Sequence, residues 1–278
     1  MRVSFVILNY KTREFLKNHL QNILEIRLPF EYEVIVVDNA SRDGSVEMVQ
    51  QEFLNKKVPM ELRLIASNKN LGWSAGNNLG IREARGEYVI LSNTDILYSS
   101  AADVVDVVRF MDEHPEIGIV GPRLWNPDGT YQYSCYRFYR LFTPVYRRTP
   151  LGRLSFAQHD IQRHLMTDFN HDTVREVDWL QGSNMFIRRA VFEKIGLIDE
   201  RFFLYFSDLE FCYRAWDHNI KVVYFSNTHT MHFHKRESAA SHGLSVMLSY
   251  ITRIHIKDWF RFLRKHKNKL PQFRPHPL

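Results

Sequence analysis

From Val3 to Leu8 the chain reads VSFVIL, an apolar run of strand length, and TREFLKNHLQNILEI follows with apolar residues at helical spacing. Thr12 stands where a helix N-cap belongs. The alternation then repeats. YEVIVV reads as a second buried strand, and DGSVEMVQQEF as a turn and helix. LRLIA is a third strand, a helix is expected over 74–84, and EYVILS is a fourth strand. Strands apolar on both faces, each followed by a helix, predict an α/β fold with a mostly parallel central sheet and helices on both faces. Beyond Ser249, YITRIHIKDWFRFLRKHKNK mixes Ile, Trp, Phe and Leu with Arg and Lys. As a helix it is basic and amphipathic, suited either to a membrane interface or to docking on the core.

In a parallel sheet ligands bind beyond the carboxyl ends of the strands. That directs attention to Asn9-Tyr10, Asp38-Asn39, Ala66-Ser67 and Asn93-Thr94-Asp95. Asp38 is placed either to accept hydrogen bonds from a nucleotide's base or ribose, or to close an Asx-turn before the next helix. Asp95 is either a loop cap or a ligand for Mg²⁺ or Mn²⁺. A metal on a diphosphate needs only one or two protein carboxylates, because phosphate oxygens and water complete its shell. NKNLGWSAGNNLG is spaced GxxxGxxxG and matches neither the dinucleotide fingerprint nor a P-loop, which disfavours NAD and ATP.

Net charge is +6 over 278 residues, and its placement matters more than its size. From Arg253 to Leu278 eight Lys or Arg face one acid, Asp258, leaving the remainder nearly neutral. A second basic patch, Arg137, Arg140, Arg147, Arg148 and Arg153, contains no acid and is threaded with aromatic residues. Such segments suit nucleic acid or an anionic membrane surface. No recognised nucleic-acid-binding motif accompanies them, so nucleic acid is not an expected partner. Cys135 and Cys212 form no disulfide framework or metal spacing, which suits a reducing cytosol.

Seven stretches, VILNYK, VVDNASRDGS, NLGWSAGNNLGI, YVILSNTD, VDWLQGSNMFIRR, GLIDERFFLYFSDLEFCYRA and MHFHKRES, together resemble family-two glycosyltransferases of the nucleotide-diphospho-sugar (A-type) fold. They are most similar to the bacterial rhamnosyltransferase-like branch. The resemblance implies an inverting, metal-dependent sugar transferase of cell-surface polysaccharide synthesis. It implies dTDP-L-rhamnose as donor, with a UDP-hexose or UDP-HexNAc as the alternative. A saccharide or polyprenyl-diphosphate-linked acceptor follows, reached by a cytoplasmic enzyme lying peripherally on the inner face of the cytoplasmic membrane. The resemblance places Asn9, Tyr10, Asp38, Asn39, Asn77, Asn93 and Thr94 around the nucleotide sugar. It assigns Asp95 to the metal with His232, in preference to His234, and makes Asp208 the catalytic base. Asn93 and Ser207 depart from the acids usual in the family. The expected organisation is one domain over 1–245, divided at 130 into donor and acceptor halves, and a basic tail over 246–278.

YFSDLEFCYRAW then poses a local question about Asp208 and Glu210. Ser207 with Glu210 three residues later reads as a capping box. Asp208, in the positive end of the helix dipole, is expected to stay ionised and able to take a proton from a sugar hydroxyl. Trp179 is either a stacking face for the acceptor or a core ring, and Gly182 is expected to leave room for the sugar. A nucleotidyltransferase is disfavoured because NYKTREF after the first strand lacks glycine. A non-catalytic relative is disfavoured because Asp95 and Asp208 are both present.

Overall fold

The computed structural model describes residues 1–56, 58, 60–147, 149–233 and 250–266. The first half alternates as the pattern predicts: β1 (Val3–Asn9), α1 (Arg13–Glu25), β2 (Tyr32–Asp38), α2 (Ser45–Val49), β3 (Glu61–Ala66), α3 (Gly72–Glu83) and β4 (Tyr88–Asn93). A π-helical turn, Gln50–Leu54, extends α2. Next come β5 (Ile96–Leu97), α4 (Ala102–Glu113), β6 (Ile117–Trp125), β7 (Tyr131–Gln132) and β8 (Cys135–Tyr136). They lead into α5 (Thr143–Tyr146), a 3-10 turn (Pro150–Arg153), α6 (Ser155–His164), β9 (Arg175–Glu176) and β10 (Trp179–Leu180). The described chain closes with β11 (Asn184–Arg188), α7 (Arg189–Ile195), α8 (Ser207–Asp217), β12 (Lys221–His232) and α9 (Tyr250–Lys265).

The main sheet runs β3-β2-β1-β4-β11-β6-β12-β5, with β7 added to β6 and β9 to β12. Strands β3, β2, β1 and β4 are parallel, β11 enters antiparallel, and β12 is again parallel to β6. Alternate residues of each strand serve opposite cores, as unbroken apolar runs require. Val6, Ile35, Val37 and Leu91 pack with α3 and α8. Phe5, Ile7, Val36 and Ile90 pack with α1 and α4. The glycine spacing of α3 is a packing stripe. A Cβ at Gly76 would fall 2.6 Å from Leu8 Cδ1, and one at Gly80 2.5 Å from Val6 Cγ1.

One local expectation is corrected, and one open alternative is decided in part. Thr12 precedes α1 but makes no capping bond; its hydroxyl donates to Asn9 Oδ1 instead (2.8 Å). The amphipathic C-terminal helix docks. On α9 the rings of Trp259 and Phe262 are buried and stack on one another against Phe206. Ile256 and Phe260 remain exposed. The tail beyond 266, and His234, lie outside the described residues. Among the described residues no helix is long and apolar enough to cross a membrane.

Candidate active site

Strand register levels the carboxyl ends of the parallel strands: Asn9 pairs with Asp38, Asp38 with Ala66, and Leu8 with Asn93. Here the buried Asn9 works as a spacer. Its amide donates to Asp38 Oδ2 (2.8 Å) and Ser41 Oγ (2.9 Å). The Ser41 N–H donates to Asp38 Oδ1 (3.0 Å), so the turn bond considered for Asp38 does form. Asn39 donates to Asn70 Oδ1 and Gly72 O and accepts from the Leu71 N–H. Tyr10 projects from the end of β1 and is exposed. Thr94, buried, meets the Thr12 hydroxyl at 2.9 Å. Asn9 and Asn39 therefore shape the strand-end surface from beneath.

Asn77 is buried in the packing of α3, and its amide donates back to the Trp73 carbonyl (2.9 Å), a helical i,i−4 bond.

Asp95 follows β4, with 22% of its side chain exposed. β5 pairs antiparallel with the end of β12, and this brings His232 Nε2 to 3.4 Å from Asp95 Oδ1. The amide of Gln132 fixes the ring: its nitrogen donates to Asn126 Oδ1 (3.1 Å), leaving its oxygen to accept from His232 Nδ1 (2.6 Å). Nε2 of the ring then faces a carboxylate oxygen. Such a pair of donor atoms, oriented by an outer hydrogen bond, suits a divalent cation. No group of three or more His, Cys, Asp or Glu suited to a metal occurs among the described residues. Among the described residues, Asp95 and His232 offer one carboxylate and one imidazole here.

The Asp95 loop and Asp208 are linked through backbone. The Asn93 N–H donates to Ser183 O (2.8 Å), and the neighbouring Gly182 N–H donates to Asp208 Oδ2 (3.0 Å). Asp208 Oδ1 accepts the Leu209 N–H (2.9 Å). Burial pushes the Asp208 carboxyl up to about 6, although both amides pull the other way. At that value the carboxyl is still mainly ionised at neutral pH, but desolvation, not the helix dipole, dominates its environment.

Gly182 makes room for protein. A Cβ there would lie 2.6 Å from Trp73 Cζ2 and 3.3 Å from Asp208 Cβ. Trp73, half-buried beside the candidate base, was not among the residues expected at the site. The signal that could have found it was an aromatic residue breaking the small-residue run of α3. Trp179 is the core ring of the two alternatives: it is 7% exposed, stacks on Tyr136 at 4.5 Å and donates to Arg137 O.

The capping box does not form. α8 begins after Phe206, whose φ is 63°, with no side-chain cap. The Ser207 hydroxyl accepts from Ser74 Oγ (2.8 Å). Glu210 is fully buried and pairs with Arg214, Lys265 and His266.

Known proteins place this architecture. The chain is 31% identical over 225 residues to a low-salt glycan biosynthesis hexosyltransferase of Haloferax volcanii, covering 79% of this chain and 63% of that protein's length. It is 25% identical over 249 residues to the N-acetylglucosaminyl-diphospho-decaprenol L-rhamnosyltransferase of Mycobacterium tuberculosis, covering 83% and 74%. The structure of S. aureus TarS with UDP-GlcNAc superposes with a TM-score of 0.60 at 16% identity, over 98% of this chain and 68% of that one. A mannosyltransferase of Pyrobaculum calidifontis with GDP-Man and Mn²⁺ gives 0.56 at 19% identity, over 85% and 58%. The fold is that of A-type nucleotide-diphospho-sugar transferases. The sequence pattern of Glycosyl transferase family 2 matches residues 4–196, and the chain belongs to that family.

Proposed function

We propose that the protein transfers a sugar from a nucleotide diphosphate to a hydroxyl of a saccharide or lipid-linked acceptor with inversion, and that Asp208 is its base. The observation that carries this is the Asp208 environment. Its carboxylate is oriented by the Gly182 and Leu209 amides, and burial raises its proton affinity. A base with a pKa near 6 is ionised at neutral pH yet accepts a proton better than an ordinary carboxylate. The acceptor oxygen attacks the anomeric carbon and its proton passes to Asp208. The bond between that carbon and the diphosphate oxygen breaks on the opposite face. The transition state has oxocarbenium character, as in glycoside hydrolysis.

The nucleotide would lie on the edge formed by Tyr10, Asp38 and Asn93-Thr94, with Asn9 and Asn39 holding that edge in shape. Asp95 and His232 would hold Mg²⁺ or Mn²⁺, which supplies Lewis-acid neutralisation of the departing diphosphate. Trp73 takes the acceptor-side stacking role first considered for Trp179. L-Rhamnose is the proposed donor sugar, supported by the similarity to the mycobacterial rhamnosyltransferase.

The test is a panel of dTDP-, UDP- and GDP-sugars offered to the protein, with the product's anomeric configuration read by NMR. Transfer from dTDP-L-rhamnose with inversion is expected. Retention would refute the mechanism, and transfer only from a UDP-sugar would refute the donor. Asp95→Ala should lose the Mn²⁺-dependent part of nucleotide-diphosphate stabilisation in a thermal-shift assay. Equal stabilisation in EDTA and Mn²⁺ by the unaltered protein would remove the metal role.

A further inference from the structure

Half of the large exposed apolar side chains among the described residues fall within 141–156. Leu141, Phe142, Val145, Leu151, Leu154 and Phe156 are all exposed, Phe142 at 56% and Phe156 at 61%. Their rings join: Phe142 lies 6.2 Å from Tyr146, and Tyr146 lies 5.7 Å from Phe156. The patch is built on a firm base. Thr143 Oγ1 donates to the buried Asp160, and Arg147 donates to Tyr139 Oη (2.9 Å) beside His164. The polar ties point inward and the large apolar side chains outward, the reverse of an ordinary surface.

Charge narrows the occupant. The 31 residues over 129–159 include five arginines and no acid. Arg140 and Arg153 are exposed; Arg140 lies 3.6 Å from Asp160, which is just beyond that stretch, while Arg153 meets no carboxylate among the described residues. A second copy of this chain seated here about a two-fold axis would set like charges against one another. An anionic lipid surface would instead receive the rings at its acyl boundary and the guanidinium groups at its phosphates. The C-terminal helix α9 has already spent its Trp259 and Phe262 face on the core.

We infer that the surface over 141–156, formed by α5, the 3-10 turn and the start of α6, docks the protein on an anionic lipid bilayer. The inference rests on the proposed lipid-linked acceptor, since a soluble acceptor would not require such a surface. Docking would hold the enzyme at the layer where a diphosphate-linked lipid presents its sugar.

Full-length protein carrying Phe142→Cys, labelled with an environment-sensitive dye, tests the contact. The native Cys135 and Cys212 are buried, so the label should go to the introduced thiol. With equimolar phosphatidylglycerol–phosphatidylcholine vesicles at low salt, the emission should shift to the blue. In co-sedimentation, the Phe142→Ser, Phe156→Ser double variant should lower the binding constant by about tenfold or more. Arg140→Gln with Arg153→Gln should also lower it by about tenfold, and pure phosphatidylcholine should bind weakly. Circular dichroism of each variant should match the unaltered protein. Failure of the unaltered protein to sediment, or unchanged binding by both double variants, overturns the proposal. A Phe142→Ser, Phe156→Ser variant that elutes as a monomer where the parent elutes as a dimer also overturns it, in favour of a self-interface. Turnover with a water-soluble acceptor should be unchanged in both double variants. Its absence from the unaltered protein would count against the proposed transfer and leave the docking result standing.

Discussion

Asp208 and Glu210 lie two residues apart in the first turn of α8, and the protein treats them in opposite ways. Asp208 faces Gly182 and the Trp73 ring, where its partners among the described residues are backbone amides and no cation, and burial pushes its carboxyl up to about 6. Glu210 faces α9 and the body of α8. Burial pushes its carboxyl up as well, but His266, Arg214 and Lys265 outweigh that and hold it below the usual carboxylate range. Both side chains leave bulk water, so desolvation alone does not separate them. The presence or absence of a cation does. One face of the turn produces a proton acceptor, and the other an anchor that ties α9 to the helix bearing the base.

The largest expected effect comes from exchanging the proton-accepting character of the first face for a neutral amide. Asp208→Asn should lower turnover by roughly 10²–10⁴-fold with donor affinity little changed, measured by steady-state kinetics beside nucleotide titration. Wild-type turnover in that variant would end the assignment. On the second face, Glu210→Ala leaves two cations beside a buried gap. Urea unfolding at pH 7 should show a loss of about 3 kcal/mol, as for a broken buried ion pair. A loss of about 1 kcal/mol would match a cap instead. The sign with pH follows from the depressed carboxyl. Its stabilisation is fully present above the unfolded value of 4.5 and disappears as pH falls through the folded value, so the variant's deficit should shrink in acid.

A smaller change tests how the first face is held. Gly182→Ala would drive a methyl against the Trp73 ring and the Asp208 Cβ. Displacing the base by up to an ångström should lower turnover by about 10²-fold in protein that remains folded by circular dichroism. Unchanged turnover would show that Trp73 and Gly182 do not set its position. The mildest test needs no substitution. The kcat/KM of the unaltered protein should fall tenfold per pH unit below about 6, because only the ionised Asp208 accepts a proton. A profile flat to pH 5 would require a base of ordinary acidity.

The strand–helix alternation was legible in the chain because apolar periodicity is local. Each of β1 to β4 meets both cores, and every second residue must suit one of them. The strand ends at Asn9, Asp38 and Asn93 followed from that pattern together with the general place of ligands in parallel sheets. The roles of individual polar residues were less legible. Asn9 and Asn39 read as ligand-facing, yet both are consumed in supporting neighbouring turns. An amide's spacing does not reveal which of several nearby partners it will meet.

What the sequence determined by itself was the order of elements, the family and the short set of acids worth testing, since these depend on neighbours a few residues away or on motifs read in line. Tertiary structure decided which acid was which. Ser207 and Glu210 satisfy a local capping pattern, but Lys265 reaches Glu210 from 55 residues along the chain. A buried carboxylate with cations at hand forms ion pairs before it caps an amide. Trp73 meets Gly182 only because α3 and the segment before β11 converge at the end of β4. The raised proton affinity of Asp208 likewise arises from protein mass closing around it, a property of three-dimensional packing that residue spacing does not encode.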